Sequence, residues 1–137
     1  MTHQVYLGLG SNQGDRKAKI TRAIELIGER VGTVLRQSSL IETEPWGFTS
    51  GNKFLNGVIY CETTLLPRKL LEVTQQIERE LGRHYKGMAY RDRPIDIDIL
   101  LYDDITMDEA DLKIPHPFMY ERDFVMIPLA EIKEPAE

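Results

Sequence analysis

Two aspartates, Asp96 and Asp98, alternate with isoleucines in the segment 94–102. On a β-strand the side chains of residues i and i+2 point to the same face, which places these two Cα atoms about 7 Å apart. Carboxylates in that arrangement can share one or two Mg²⁺ ions, which take phosphate oxygens as further ligands. The same alternation also fits the solvated face of a half-buried strand, although two like charges side by side repel each other.

A basic segment immediately precedes this strand. It contains Gly82 and Gly87, and its cations outnumber its anions: Arg79, Arg83, Lys86, Arg91 and Arg93 against Glu80 and Asp92. Arginine offers planar, bidentate donors to phosphate oxygens, whereas lysine acts as a mobile point charge. Taken alone, such a loop also fits an ordinary solvated surface. Its position beside the two aspartates favours a polyphosphate that a metal bridges to the carboxylates.

Aromatic residues and one asparagine form a second candidate group. Phe54 and Asn56 lie two residues apart on one face of a predicted strand, Trp46 and Phe48 fall in a long loop, and Phe124 comes much later. Two aromatic rings that sandwich a flat heterocycle, with an amide at its edge, are a common way to bind pterins and bases. Each ring alone equally fits a core position, so only the grouping suggests a site.

The elements that position these groups follow from hydrophobic periodicity and turn residues. Period-two patterns predict strands over 4–9, 33–43, 54–63 and 94–102, with a further short strand at 111–115. Helical spacing predicts one helix from the Asp15 cap to Gly32 and a second from Pro67 to Gly82. The order β-α-β-β-α-β predicts a ferredoxin-like α+β fold, in which helices pack on an antiparallel sheet.

Length and composition indicate a single domain over residues 1–137, with 42% hydrophobic and 28% charged residues. The net charge of -5 argues against general binding to nucleic acid or anionic lipid. The lone Cys61 cannot form an internal disulfide, and the sequence shows neither a leader nor a long apolar span. We therefore expect a cytoplasmic protein that does not associate with membranes.

Other motifs carry less chemical information. The glycine-rich stretch 8–14 places Gly14 one residue late for a dinucleotide-binding turn, and no Walker loop occurs, so we interpret the stretch as a turn between strand and helix. His3 and His84 are isolated in the sequence, which argues against zinc. His116 stands between two prolines and is a candidate contact to phosphate or ribose oxygens.

Six segments, taken in order, closely resemble the 6-hydroxymethyl-7,8-dihydropterin pyrophosphokinases of folate biosynthesis. They are LGLGSN (7–12), ETEPWG (42–47), FLN (54–56), RDRPIDIDI (91–99), IPHP (114–117) and ERDF (121–124). The resemblance implies a Mg²⁺-dependent transfer of pyrophosphate from ATP to the hydroxymethyl group of the reduced pterin, with release of AMP. It also implies that the ferredoxin-like core is elaborated into an α/β/α sandwich.

The resemblance further implies roles for individual residues. Asp96 and Asp98 would hold two Mg²⁺ ions, and Arg83 and Arg93 would contact the phosphates, so these four are the expected catalytic residues. The pterin would be bound by Thr43, Glu44, Trp46, Phe54, Asn56 and Phe124. ATP would be bound by Gln75, Glu78, Lys86, Tyr90, Ile99, His116 and Arg122. The expected partners are therefore ATP and a reduced pterin, bound by a monomer.

A non-catalytic ferredoxin-like module that binds a nucleotide or another small molecule is the alternative. An RNA-binding module of this topology would carry a Lys/Arg-Gly-aromatic signature and a basic face, and the sequence has neither. A different Mg²⁺ enzyme built on the same aspartates would lack the pterin residues. The activity of an Asn56→Ala variant separates that enzyme from a pterin enzyme.

Overall fold

The computed structural model describes residues 1–45, 48, 51–83 and 93–133 of the chain. Its strands are β1 (His3–Ser11), β2 (Gly32–Gln37), β3 (Ile41–Thr43), β4 (Phe54–Thr63), β5 (Asp96–Tyr102), β6 (Met107–Glu109) and β7 (Leu112–Ile114). Its helices are α1 (Arg16–Arg30), α2 (Pro67–Glu80) and α3 (Asp123–Ile132), and a 3₁₀ turn at Met119–Glu121 precedes α3. Among these described helices, none is long and apolar enough to cross a bilayer.

Helices α1 and α2 begin where capping residues predict. Asp15 Oδ1 accepts a hydrogen bond from the N–H of Ala18 at 3.1 Å, and Pro67 occupies the first turn of α2, where its missing N–H costs nothing. Each helix buries one stripe of side chains: Ile20, Ala23, Leu26 and Ile27 in α1, and Leu70, Val73, Thr74, Ile77 and Glu78 in α2. The predicted helical periodicity is confirmed in both.

The strands form an antiparallel sheet in the order β2-β4-β1-β5, and β3 continues the pairing with β4 beyond the end of β2. Strand β1 lies between β4 and β5, so that Gly10 is opposite Asn56 on one side and Asp96 on the other. This order confirms the predicted ferredoxin-like arrangement. The C-terminal end of β1 meets the N-terminal ends of β4 and β5, and the expected site residues gather at that end of the sheet.

Helices cover both faces of the sheet. Val5 and Leu7 of β1 belong to one buried cluster together with the apolar stripes of α1 and α2. Val58 and Tyr60 of β4 belong to a second cluster on the opposite face, where they pack with Leu129 of α3. The two clusters make the fold an α/β/α sandwich.

The predicted strand 33–43 is interrupted. From Gln37 to Ile41 the chain advances four residues, while its partner β4 advances three. Ser38 still faces Val58: its N–H donates to Val58 O at 2.9 Å, and its hydroxyl accepts from Val58 N at 2.8 Å. The extra residue forms a bulge between Ser38 and Ile41, opposite Gly57. Residue alternation does not reveal this change of register, because the hydroxyl substitutes for a regular backbone partner.

The chain beyond β5 holds more structure than periodicity predicts. The predicted strand at 111–115 forms as β7 and pairs with β6 in a hairpin. Periodicity does not predict helix α3, because its sequence is apolar on most sides and contains Pro128. Val125, Leu129 and Ile132 are buried against the sheet, so tertiary packing stabilises this helix.

A turn after β5 ties the start of β1 to the end of β5. Asp103 has a φ of 48°, and its carboxylate accepts from Gln4 N at 2.7 Å and contacts His3 Nδ1 at 2.7 Å. Burial alone raises the pKa of Asp103. The hydrogen bonds from Gln4 and His3 outweigh it and hold that pKa below its ordinary value.

We predict that Asp103→Asn lowers the free energy of unfolding at neutral pH by about 1 kcal/mol, because asparagine tolerates positive φ but lacks the charge. A carboxyl whose pKa is lower in the folded state contributes stability above its unfolded pKa and loses it as pH falls through the folded pKa. The difference between wild type and variant therefore shrinks in acid. Denaturant titrations across pH test this, with the exposed Asp104→Asn as control; a difference that persists in strong acid contradicts the ionic role.

Candidate active site

Asp96 and Asp98 point to the same face of β5, as the alternation predicts. Ile97 and Ile99 point the other way and are buried with α1 and α2. The cross-strand neighbours of Asp96 and Asp98 in β1 are Gly10 and Gly8. The two carboxylates therefore project, on the α3 side of the sheet, into space that the glycines leave open.

Gly8 and Gly10 are part of the site. A Cβ at Gly10 would lie 2.6 Å from Asn56 Oδ1, and a Cβ at Gly8 would lie 3.4 Å from Leu100 Cδ2. Gly8 lies in β1 as predicted, whereas the predicted turn begins too early, because Gly10 still lies within β1. The available signal was their spacing, because glycines two residues apart on a strand share one face.

Each carboxylate oxygen of Asp96 faces a guanidinium group. Arg83 Nη1 lies 2.5 Å from Oδ1, and Arg93 Nη1 lies 3.2 Å from Oδ2. Burial by itself lowers the pKa of Arg83, but the carboxylates of Asp96 and Glu78 outweigh it and raise that pKa above its ordinary value. Arg83 stays charged, and the two arginines fix the orientation of the Asp96 side chain.

Glu78 extends this arrangement into α2. Its side chain is only 2% exposed, and its Oε2 accepts from the backbone N–H of Ile97 at 2.8 Å and from Arg83 Nη1 at 3.2 Å. Arg83 also donates to Ile95 O at 3.2 Å. Glu78 and Arg83 thus bind each other, and both bind the backbone around the start of β5. Arg83 also binds Asp96. The expected contacts of Glu78 with ATP and of Arg83 with the phosphates stay predictions.

An aromatic cavity opens beside Asp96. It is lined by Gly10, Thr43, Glu44, Phe48, Phe54, Asn56, Arg93, Asp96, Arg122 and Phe124. The structure brings together all the expected pterin residues that it describes, whereas Trp46 lies outside the described residues. Phe48 and Arg122 join them, although the resemblance places Arg122 with ATP and assigns no role to Phe48.

The aromatic cavity combines ring faces with fixed polar groups. The rings of Phe48 and Phe54 meet edge to face with their centroids 6.1 Å apart. Asn56 Nδ2 donates to Thr43 Oγ1 at 2.7 Å, which orients the amide. Such a cavity suits a flat heterocycle with a hydrogen-bonding edge.

Arginines contact two of the aromatic rings. The guanidinium carbon of Arg93 lies 5.5 Å from the centroid of Phe54, and that of Arg122 lies 5.5 Å from the centroid of Phe124. These distances are within the range of cation–π attraction. The positive charges therefore hold the rings in place and stand close to any anion bound beside them.

A second groove, of about 420 Å³, lies beside Asp98 between α2, β5 and the β6–β7 hairpin. It is lined by Leu71, Gln75, Ile97, Asp98, Ile99, Ala110, Asp111, Leu112, Lys113, His116 and Pro117. Of the expected ATP residues it contains Gln75, Ile99 and His116, while Arg122 lines the aromatic cavity. Lys86 and Tyr90 lie outside the described residues.

His116 points one ring nitrogen towards Asp98. Its Nε2 lies 3.7 Å from Asp98 Oδ1, and its Nδ1 lies 2.7 Å from Pro117 O. A carbonyl only accepts, so this contact assigns the proton of a neutral ring to Nδ1. The Nε2 lone pair and the carboxylate then face a shared space, which favours a cation or a hydrogen-bond donor.

The two aspartates lie where the cavities meet. Asp96 lines the aromatic cavity, and Asp98 lines the groove beside α2. A third, small cavity between them is lined by both aspartates together with His116 and Phe124. Ligands bound in the two larger cavities would therefore meet at the carboxylate pair.

The donor atoms at this junction fit Mg²⁺. Mg²⁺ prefers hard oxygen ligands and is commonly held by one or two carboxylates, with water and phosphate oxygens completing its shell. Within the described ranges, no three His, Cys, Asp or Glu side chains assemble into a potential metal site. Two carboxylates such as Asp96 and Asp98 suit a metal ion that takes its remaining ligands from a polyphosphate and water.

The fold and cavities define a small α+β protein in which two cavities meet at a carboxylate pair. The family model for 7,8-dihydro-6-hydroxymethylpterin-pyrophosphokinase (HPPK) matches residues 6–134. The chain belongs to the HPPK family. This membership supports the enzyme and not the non-catalytic binding module.

Relatives agree with this assignment, and a solved structure shares the fold. The chain is 50% identical over 131 residues to a 2-amino-4-hydroxy-6-hydroxymethyldihydropteridine pyrophosphokinase of Porphyromonas gingivalis, covering 93% of this chain and 89% of the relative. It is 43% identical over 138 residues to the protein of the same name from Bacillus subtilis, covering 100% and 82%. A triple mutant of Plasmodium falciparum HPPK-DHPS matches 96% of this chain with a TM-score of 0.77. At 18% identity that likeness shows the fold alone, and this chain spans 40% of that longer chain.

We predict that Gly10→Ala weakens pterin binding about tenfold or more, because the new Cβ would displace the Asn56 amide. Nucleotide binding should change by less than about twofold, since the groove lies beside Asp98. Calorimetric titration of each ligand measures both effects. Gly28→Ala is the control, because nothing lies within 4 Å of its Cβ position. Equal losses for both ligands would contradict the specific role of Gly10.

Proposed function

We propose that this chain transfers the terminal pyrophosphate of ATP to the hydroxymethyl group of 6-hydroxymethyl-7,8-dihydropterin and releases AMP, as a step of folate biosynthesis. The hydroxymethyl oxygen bonds to the β-phosphorus, the bond from that phosphorus to the α–β bridging oxygen breaks, and the hydroxyl proton is lost. The observation that carries the proposal is the position of Asp96 and Asp98 between an aromatic cavity and a groove. The names of the relatives at 50% and 43% identity support the same reaction.

The aromatic cavity is the proposed pterin site. Phe54 and Phe124 come from different elements and line it together, which supports stacking of one ring on each face of the pterin. Asn56, held by Thr43, is placed to bind the polar edge of the heterocycle together with Glu44. Trp46 keeps its expected role as a further pterin contact.

The groove beside α2 is the proposed ATP site, with Gln75, Ile99 and His116 along it. Asp96 and Asp98 would hold two Mg²⁺ ions bound with the nucleotide. Bound Mg²⁺ neutralises phosphate charge and makes the phosphorus under attack more electrophilic. Glu78, Lys86, Tyr90 and Arg122 complete the proposed set of ATP contacts.

The arginines have different positions relative to the transferred group. Arg93 lines the aromatic cavity and contacts Asp96, so its guanidinium lies near the path from ATP to the pterin. Arg83 is more deeply buried and holds Asp96 from the side of α2. We assign phosphate binding to both, and orientation of Asp96 to Arg83 in addition. Positioning and charge stabilisation would then supply most of the catalysis.

We further propose a monomeric, cytoplasmic enzyme of one domain that binds neither nucleic acid nor membranes. The net charge of -5 supports the absence of general binding to nucleic acid and anionic membranes. Burial raises the pKa of Cys61 to about 12, so the thiol is protonated and unreactive at neutral pH.

Product analysis tests the reaction directly. Purified protein incubated with ATP, Mg²⁺ and the pterin should release AMP in a pterin-dependent manner, and a chelator should stop the reaction. Attack at the β-phosphorus leaves AMP, whereas attack at the γ-phosphorus would leave ADP. Pterin-dependent ADP in place of AMP would refute the proposal.

We predict that Asp98→Asn lowers kcat by about a thousandfold, because it removes a carboxylate at the point where the phosphates must be neutralised. The variant should stay folded, since the substitution preserves shape and Asp98 is only half-buried. Steady-state kinetics and thermal unfolding measure the two effects, with Asp104→Asn as the matched control. A variant that unfolds would assign Asp98 a structural role instead.

A further inference from the structure

The β6–β7 hairpin forms one wall of the groove, although its own structure is slight. Each strand has three residues, and a two-stranded hairpin is marginally stable by itself. Ile114 at its inner end and Leu112 beside its turn are both buried in the core cluster that α1 and α2 share. Residues 108–111 at the outer end, around the turn, are exposed. The positions of their side chains therefore depend on contacts outside the core.

Arg68 joins the outer end of the hairpin to α2. Its Nη1 donates to Asp111 Oδ1 at 2.7 Å, and its Nη2 donates to a carboxylate oxygen of Glu109. Glu109 and Asp111 flank Ala110 at the turn, so one guanidinium holds both sides of it. Hydrogen bonds to Glu109 and Asp111 raise the pKa of Arg68, which keeps it charged.

The place of Arg68 in its helix favours this contact. Arg68 lies in the first turn of α2, where the helix dipole favours negative charge, and that turn contains no acidic residue. The carboxylates of Glu109 and Asp111 supply that charge from the hairpin. The guanidinium of Arg68 and the N-terminal dipole of α2 therefore both attract the carboxylates of Glu109 and Asp111.

The contact also spans the groove. Arg68, Leu71 and Gln75 follow each other at i, i+3 and i+7 and so share one face of α2. Leu71 and Gln75 line the groove on the side of the helix, and Asp111 lines it on the side of the hairpin. The Arg68–Asp111 bond therefore connects the two walls.

We propose that Arg68 is a positioning residue, which sets the separation of α2 and the β6–β7 hairpin through Glu109 and Asp111 and thereby the affinity of the groove for a nucleoside triphosphate. The proposal rests on the proposed function, because it takes this groove as the ATP site. Arg68 acts on the wall of the groove and not on the reacting atoms.

Arg68→Ala should raise the Kd of the Mg²⁺ complex of α,β-methylene ATP about three- to tenfold, and the KM for ATP by a similar factor. The kcat and the KM for the pterin should stay within about twofold. Thermal unfolding should change little, because exposed ion pairs contribute little to stability. Lys69→Ala is the matched control, since Lys69 lies in the same turn but pairs with Glu72 within α2.

Glu109→Gln separates positioning from simple attraction of phosphates. If only the net charge near the groove mattered, removal of this anion would strengthen nucleotide binding, whereas loss of positioning weakens it. We expect weaker binding. In addition, Arg68→Glu combined with Glu109→Arg restores a cation between two carboxylates, so it should recover most of the affinity that Arg68→Glu loses.

Three results would each overturn the proposal: unchanged nucleotide affinity in Arg68→Ala, an equal loss in Lys69→Ala, or tighter binding in Glu109→Gln. The proposed function fails by a separate measurement, namely the absence of pterin-dependent AMP from the wild-type protein. The nucleotide titrations still decide the role of Arg68 in that case. A wild-type protein that does not bind the nucleotide would refute both.

Discussion

The partly buried ion pair between Arg83 and Asp96 is the interaction on which the site depends. Removing two charges from water costs several kcal/mol per ion, and close geometry with further hydrogen bonds is needed to offset it. Glu78 and the carbonyl of Ile95 provide those bonds. Loss of one partner from a buried pair costs about 3–5 kcal/mol, because the remaining charge is left uncompensated. The end of α2 and the start of β5 are therefore held together, and β1 follows through its pairing with β5.

The topology explains why two cavities meet at this pair. In the antiparallel order β4-β1-β5, the end of β1 lies between the beginnings of its two neighbours. Aromatic and amide groups come from the β4 side and from α3, whereas the groove is built by α2 and the β6–β7 hairpin on the β5 side. Gly8 and Gly10 lie between these sides and leave the space in which two ligands can approach each other.

Much of the fold could be predicted because its signals are local. Periodicity and caps were sufficient for β1, α1, β4, α2 and β5, and alternation placed Asp96 and Asp98 on one face. Residue types alone grouped Phe54, Asn56 and Phe124 as a candidate site, but no local rule connects Phe54 with Phe124, so the full set of pterin residues depends on the resemblance. The bulge after Ser38 and the packing of α3 depend on partners distant in sequence, and so does the contact of Glu78 with Ile97. These features were therefore beyond the reach of pattern analysis.

The hydrogen bond from the Ile97 N–H to Glu78 also affects how readily β5 can pair with a strand of another molecule. Among the described strands, β5 stands at the edge of the sheet, and its sequence is rich in isoleucine and leucine. An open edge of this kind can recruit a strand from another chain and begin aggregation. Glu78 occupies the N–H of Ile97, and the N–H of His116 occupies the carbonyl of Leu100 at 3.0 Å. Both contacts leave less of this edge open to strand pairing with a neighbouring molecule, and Glu78 also supports the orientation of Asp96 through Arg83.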